Sequence, residues 1–280
     1  MPSSAPIGVF DSGIGGLSVL RHIRAQLPHE SLLYFADSGF APYGDKPEPV
    51  IVERTLAIAD FLLQQGVKAL VVACNTATAA AIKALRAHYP ALAVVGVEPG
   101  LKPAVALTRS KIVGVLATDN TLKKRQVRAT ARTNQCRQRR PFPAASLHRP
   151  GRPDRKKGEL HSADTALLVQ RYVAPLIAQG ADTLVLGCTH YPFVQGLIDA
   201  VVSRSSEQPV SVIDTGQSVA RHLARLLAEH GLLSATATEG SLQAFTTGSH
   251  GALAHAFTQL LQLRPPVMQI AAETPIAAAV

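Results

Sequence analysis

The chain has 280 residues, 28 Lys+Arg against 19 Asp+Glu, and 47% hydrophobic residues. That composition excludes disorder over most of the length and supplies apolar residues for one large or two small domains. The formal charge of +9 is local: 13 basic residues and one acidic residue (Asp154) fall within 123–157, leaving 15 basic and 18 acidic elsewhere, which excludes a uniformly basic nucleic-acid-binding domain.

No apolar run reaches the roughly 18 to 20 residues needed to cross a bilayer, and the opening MPSSAPIGVFDSG lacks the charged-then-apolar order of a secretory signal. A cytoplasmic protein without a membrane partner is expected. Three cysteines, an odd number, do not make a disulfide framework and are read as thiols.

In chain order, an apolar strand over 7–10 runs into Asp11, Ser12, Gly13, Ile14, Gly15 and Gly16. These glycines permit a tight turn at a helix start, but their spacing fits neither GxxxxGK[ST] nor GxGxxG, so a known nucleotide loop is disfavoured. A helix over 17–25 follows, then a strand over 32–36 ending in the turn-forming stretch ADSGFAPYG, which contains Tyr43 and Gly44. A helix over 52–65 closes at Gly66. The next strand, 69–73, delivers Cys74, Asn75 and Thr76 before a helix over 78–87, and strands follow at 91–97 and 112–117. A helix over 163–178 closes near Gly180, and the strand 183–187 delivers Cys188, Thr189 and His190. A strand at 210–214, a helix at 218–229, a strand at 242–246 and a helix at 252–263 complete the pattern. Strands alternating with helices give an α/β class with mostly parallel sheets. The repeated strand-to-Cys device favours two similar lobes.

Ligands of open α/β sheets bind beyond the carboxyl ends of the strands. A thiol there, at a helix start, has its thiolate favoured by the helix dipole. One buried Cys is most simply a small hydrophobe, but two in matching contexts are not. Cys74, Cys188 and His190 as zinc ligands lack the paired spacing of metal sites, so no metal is expected. Nucleophilic Cys–His catalysis leaves one thiol unexplained. Two thiols suit inversion of a stereocentre, one removing the Cα proton while the other returns a proton to the opposite face.

The strings GVFDSGIGGLSVL, YFADSGFAPYG, VVACNTATAAA, GVEPG and TLVLGCTHYPF, in this order, resemble the glutamate racemases of the aspartate/glutamate racemase superfamily. The resemblance implies two α/β lobes with the active site in the cleft between them, the first lobe formed by 1–98 plus 208–280 and the second by 99–207. It implies cofactor-independent interconversion of L- and D-glutamate, supplying D-glutamate for peptidoglycan. Cys74 and Cys188 would be the acid/base pair, assisted by Asp11 and His190. Asp11, Ser12, Tyr43, Gly44, Asn75, Thr76, Thr118, Thr121, Thr189 and His190 would bind substrate. Two alternatives remain: a racemase of another amino acid such as aspartate, or a catalytically impaired homologue whose basic segment binds nucleic acid or another acidic partner. The second ignores both Cys motifs, so nucleic acid is not the expected partner. Oligomeric state stays open, with a homodimer among the assemblies considered.

The window 123–157 breaks the pattern. Only eight of its 35 residues are hydrophobic, and Pro141, Pro143, Pro150 and Pro153 predict no regular structure over its second half. The helper glutamate implied by the resemblance would fall near Lys156, where nothing acidic stands, and Cys136 receives no role. We read the window as translated out of frame by two compensating shifts. Reading the coding DNA in the other two frames is expected to restore an apolar helix-strand pattern; if neither does, the reading is wrong.

Overall fold

The computed structural model describes residues 3–97, 100–117, 138–141, 160 and 162–271. The chain divides into two compact units, Met1–Glu98 with Gly216–Val280 and Pro99–Thr215.

The first unit is built on a parallel sheet of six strands: β1 (Ile7–Asp11), β2 (Leu32–Ala36), β3 (Ala69–Val72), β4 (Ala93–Gly96), β9 (Leu242–Thr246) and β10 (Val267–Gln269). Their order is β10-β9-β2-β1-β3-β4. β1, β2 and β3 are buried along their whole length, as expected for strands whose two faces are both covered. The helices are α1 (Leu17–Gln26), α2 (Glu48–Gln64), α3 (Asn75–His88), α7 (Gly216–Glu229) and α8 (His250–Leu261). Phe10, Phe35, Ile58, Leu62, Val72, Leu85 and Phe245 lie at the centre of one apolar cluster that also contains Tyr43 and Cys74.

The second unit carries β5 (Val113–Ala117), β6 (Gln138–Pro141), β7 (Thr183–Leu186) and β8 (Ser211–Ile213) in the parallel order β6-β5-β7-β8. Its helices are α4 (Leu101–Leu107), α5 (Ala163–Ala178) and α6 (Gln195–Ser205). This order repeats the β2-β1-β3-β4 part of the first sheet, so the two units share a topology in which the chain reverses its direction of sheet growth at β1 and at β5. β8 pairs with β7, so the return to the first unit falls at Gly216 rather than at 208.

Local chemistry explains the boundaries. Gly66 (φ 79°) and Gly180 (φ 87°) terminate α2 and α5 in the left-handed conformation that glycine adopts at least cost. α2 begins at Glu48, earlier than the expected 52, because Pro47 and Pro49 stand at its cap and first turn, where a missing N–H breaks no helical bond. α4 (Leu101–Leu107), α6 (Gln195–Ser205) and β10 are not foreseen in the sequence; α4 is seven residues long, α6 follows directly on a 3₁₀ turn, and β10 is three residues long. Within the basic window, the backbone of β6 pairs with β5, although the prolines predict no regular structure there. Pro141 closes this strand at a sheet edge, where a missing donor is tolerated.

One buried ion pair ties the periphery of the first unit together. Lys68 and Glu30 are 0% and 3% exposed, and their side chains are in contact. Lys68 Nζ also donates to the Ser3 carbonyl, and Glu30 Oε1 accepts from the Ser234 amide at 2.8 Å. Lys68→Met, which leaves Glu30 buried without its cation, is expected to cost about 3–5 kcal/mol in urea unfolding. Adding Glu30→Gln, which keeps an acceptor for Ser234, should recover much of that loss.

Candidate active site

In each unit the cysteine stands beyond the strand next to the reversal. In the first, Ala73 N–H donates to the Phe10 carbonyl at 2.6 Å, continuing the β1–β3 register and setting Cys74 beside Asp11 at the end of β1. In the second, Gly187 N–H donates to the Leu116 carbonyl at 2.7 Å and sets Cys188 beside the end of β5. Such reversals open the crevice in which parallel sheets bind ligands.

Cys74 is the N-cap of α3. Its Sγ accepts from Ala77 N–H at 3.5 Å and donates to Ser12 Oγ at 3.4 Å. Contrary to the lowering expected of a thiol at a helix start, burial pushes its thiol up to about 11, reinforced by the negative charge of Asp11 and opposed by the Ser12 and Ala77 bonds. Asp11 is fully buried, and burial raises its carboxyl to about 6, against the pull of the Gly16, Gly13, Ser12 and Gly15 amides. Gly13 N–H reaches its Oδ2 at 2.9 Å. Among the described residues, Asp11 Oδ1 and both amide atoms of Asn75 are buried without a hydrogen-bond partner. Buried polar atoms are normally paired, so these three are available to a polar ligand.

The turn after β1 is tightly fitted. A Cβ on Gly16 would lie 2.6 Å from Asp11 Cβ and 3.1 Å from Ala73 Cβ, so only glycine passes there. Tyr34, fully buried on β2, donates its hydroxyl to the Gly13 carbonyl at 2.9 Å. Thr78 bridges β3 to the residue after β4, donating to the Val72 carbonyl at 3.0 Å and accepting from Val97 N–H at 3.1 Å. Sequence reasoning assigned neither residue; a Tyr on a buried strand and a Thr one turn into a helix carry no outward signal.

In the second unit Cys188 Sγ lies 3.5 Å from His190 Nδ1, and Thr189 is buried. Tyr191 and Pro192 open a 3₁₀ turn that leads into α6. A Cβ on Gly187 would stand 2.9 Å from Ala117 Cβ and 3.0 Å from the Leu116 carbonyl oxygen, so the chain passes close to the end of β5 just before Cys188.

The structure thus gathers Asp11, Ser12, Cys74 and Asn75 at one reversal, with Thr76 half-buried in the first turn of α3, and Cys188, Thr189 and His190 at the other. Tyr43 and Gly44 lie in a short 3₁₀ turn of the loop after β2. Thr118, Thr121 and Cys136 fall outside the described residues. Among the described residues, no three His, Cys, Asp or Glu side chains converge as metal ligands, and no helix is long and apolar enough to cross a membrane.

The acid/base coupling has a measurable sign. With its thiol pushed up to about 11, ligand-free Cys74 is held in the thiol form at pH 7. Alkylation of Cys74 by iodoacetamide, followed by peptide mass spectrometry, should therefore rise steeply above neutrality. Asp11→Asn keeps an acceptor for Gly13 and removes the negative charge, so the midpoint should move to lower pH; an unchanged or higher midpoint would refute the coupling.

The Asp/Glu/Hydantoin racemase family model matches residues 7–223. Glutamate racemase from Methylococcus capsulatus is 54% identical over 231 residues, covering 82% of each chain. Among solved structures, glutamate racemase from Thermus thermophilus in complex with β-chloro-D-alanine matches with a TM-score of 0.77 at 33% identity, over 97% of this chain and 98% of that one. A glutamate racemase isoform from Bacillus anthracis matches with a TM-score of 0.81 at 28% identity, over 98% of this chain and 100% of the other. With the family model spanning most of the chain and both thiols within it, the chain belongs to the Asp/Glu/Hydantoin racemase family.

Proposed function

We propose that this isomerase interconverts L- and D-glutamate by a cofactor-independent two-base reaction in the cytoplasm, supplying D-glutamate for peptidoglycan. The observation that carries the reading is the repeated placement of a thiol at a sheet reversal, each with a titratable partner: Asp11 beside Cys74 and His190 beside Cys188. The names of the relatives supply the substrate.

On this reading Cys74 and Cys188 take opposite faces of the substrate Cα. One, as thiolate, removes the Cα proton and becomes a thiol, leaving the electron pair on Cα. The other, as thiol, gives its proton to the opposite face and becomes the thiolate, so the roles are exchanged at the end of each turnover. The Cα proton is very weakly acidic, so the developing carbanion needs preorganised donors and a site closed to water.

Cys74 at about 11 is too weak an acid to be a ready thiolate near neutrality, and the substrate itself corrects this. Its ammonium group, held near Asp11, is a positive charge that favours both the carboxylate and the thiolate. The unpartnered Asn75 amide suits a substrate carboxylate, together with Ser12, Thr76 and the main chain of Tyr43 and Gly44. Thr118, Thr121 and Thr189 are proposed to bind substrate as well.

Incubation with L-glutamate, D-glutamate and L-aspartate in deuterated buffer tests the proposal by mass spectrometry and chiral analysis. Deuterium should enter Cα of both glutamate enantiomers and not of aspartate. No exchange into either glutamate enantiomer would overturn the racemase reading, and exchange into aspartate alone would replace the substrate. Cys74→Ser and Cys188→Ser should each lower kcat by about 10²–10⁴ with the fold retained, whereas full activity in either would remove that thiol from the reaction.

A further inference from the structure

Asp37 and Arg54, in the polar cluster behind the loop after β2, are not used by the reaction as described above. Asp37, fully buried, accepts from Arg54 Nε at 2.8 Å and Arg54 Nη2 at 2.7 Å, from Tyr43 Oη at 2.7 Å and from Thr247 Oγ1 at 2.8 Å. Thr247 Oγ1 in turn accepts from Gly39 N–H at 3.0 Å. The carboxylate therefore joins α2, the end of β9 and both ends of the 37–45 loop. Phe40 covers the cluster, with Arg54 Cζ 5.0 Å and Lys46 Nζ 4.3 Å from its ring centre.

Stability alone is a weak reason for such an arrangement. Removing two charges from water costs several kcal/mol per ion, and apolar residues of similar volume often serve a core as well or better. What the ion pair supplies is direction. A bidentate guanidinium fixes the plane of the carboxylate, and the carboxylate fixes the Tyr43 hydroxyl. The Tyr43 ring is thereby held against Phe10, with ring centres 6.1 Å apart, and Phe10 directly precedes Asp11. Asp37 N–H also donates to the Asp11 carbonyl at 2.9 Å, so the cluster and the Asp11 turn share a backbone bond.

With its hydroxyl engaged by Asp37, Tyr43 offers a ligand its main chain. Gly44 is half-buried, and a Cβ placed on it would meet nothing within 4 Å, so the adjoining peptide borders open space. We infer that Asp37 and Arg54 are positioning residues for substrate binding: acting through the Tyr43 side chain, they hold the main chain of Tyr43 and Gly44 where it receives the substrate carboxylate. The inference rests on the racemase reading, because it needs glutamate as the ligand.

Steady-state racemisation of L- and D-glutamate by the full chain separates positioning from simple support. Asp37→Asn and Arg54→Gln are expected to raise KM for both enantiomers about tenfold with kcat within about threefold, and Arg54→Lys, which keeps the charge but not the fork, to fall between Arg54→Gln and the unaltered chain. Tyr43→Phe removes one hydroxyl and leaves the ion pair, so it should raise KM about threefold with Tm within about 2 °C. This variant keeps the test decisive even if Asp37→Asn does not fold. Unchanged KM in Tyr43→Phe and Arg54→Lys, with only Tm, active fraction or kcat reduced, would assign the cluster to support and overturn the inference while the racemase reading stands. Absence of Cα exchange in the unaltered chain would overturn both.

Discussion

The amide of the residue before each cysteine, Ala73 or Gly187, donates to a carbonyl of the strand at which its sheet reverses, Phe10 at 2.6 Å or Leu116 at 2.7 Å. These two bonds are the last rungs of their parallel ladders. They decide where each chain stops being a strand, and so where each sulfur stands. The glycine at 16 lets the turn after β1 pass against Asp11 and Ala73, and the glycine at 187 lets the end of the second ladder pass against Ala117. The cap of α3, the Ser12 contact and the Asp11 neighbourhood are then consequences of where Cys74 has been placed.

The two units share this framework and differ in what they place beside the thiol. At the end of β1 stands Asp11, whereas the same position of β5 is occupied by Ala117. The second unit obtains its partner from the loop after the thiol, as His190. A carboxylate raises the basicity of its thiol through charge, while an imidazole can exchange a proton with its thiol directly. A common topology therefore sets two chemically different neighbours beside its two thiols.

Much of this is legible in the sequence because parallel sheets write plainly. Strands covered on both faces appear as short apolar runs, and polar residues directly after them fall at the carboxyl ends, which is how Asp11, Cys74 and Cys188 stand out. The α2 start is hidden because Pro47 and Pro49 resemble breakers until their place in the first turn is known. Asp37 and Arg54 are hidden for another reason: they lie 17 residues apart, and nothing in either residue announces a bidentate pair until β2 and α2 are packed. Tyr34 is similarly silent, since its hydroxyl finds Gly13 only across the sheet.

Cys74 is also the cap of a helix, and its sulfur accepts the Ala77 amide that would otherwise be an orphan at the start of α3. A thiolate accepts more strongly than a thiol, so each loss of a proton tightens the first turn of α3 and each gain relaxes it. That turn carries Asn75 and Thr76. On the proposed reaction, proton transfer at sulfur and the grip on a bound carboxylate would lie on one mechanical coordinate, and a serine at position 74 would preserve that coordinate better than an alanine, which would remove the cap together with the thiol.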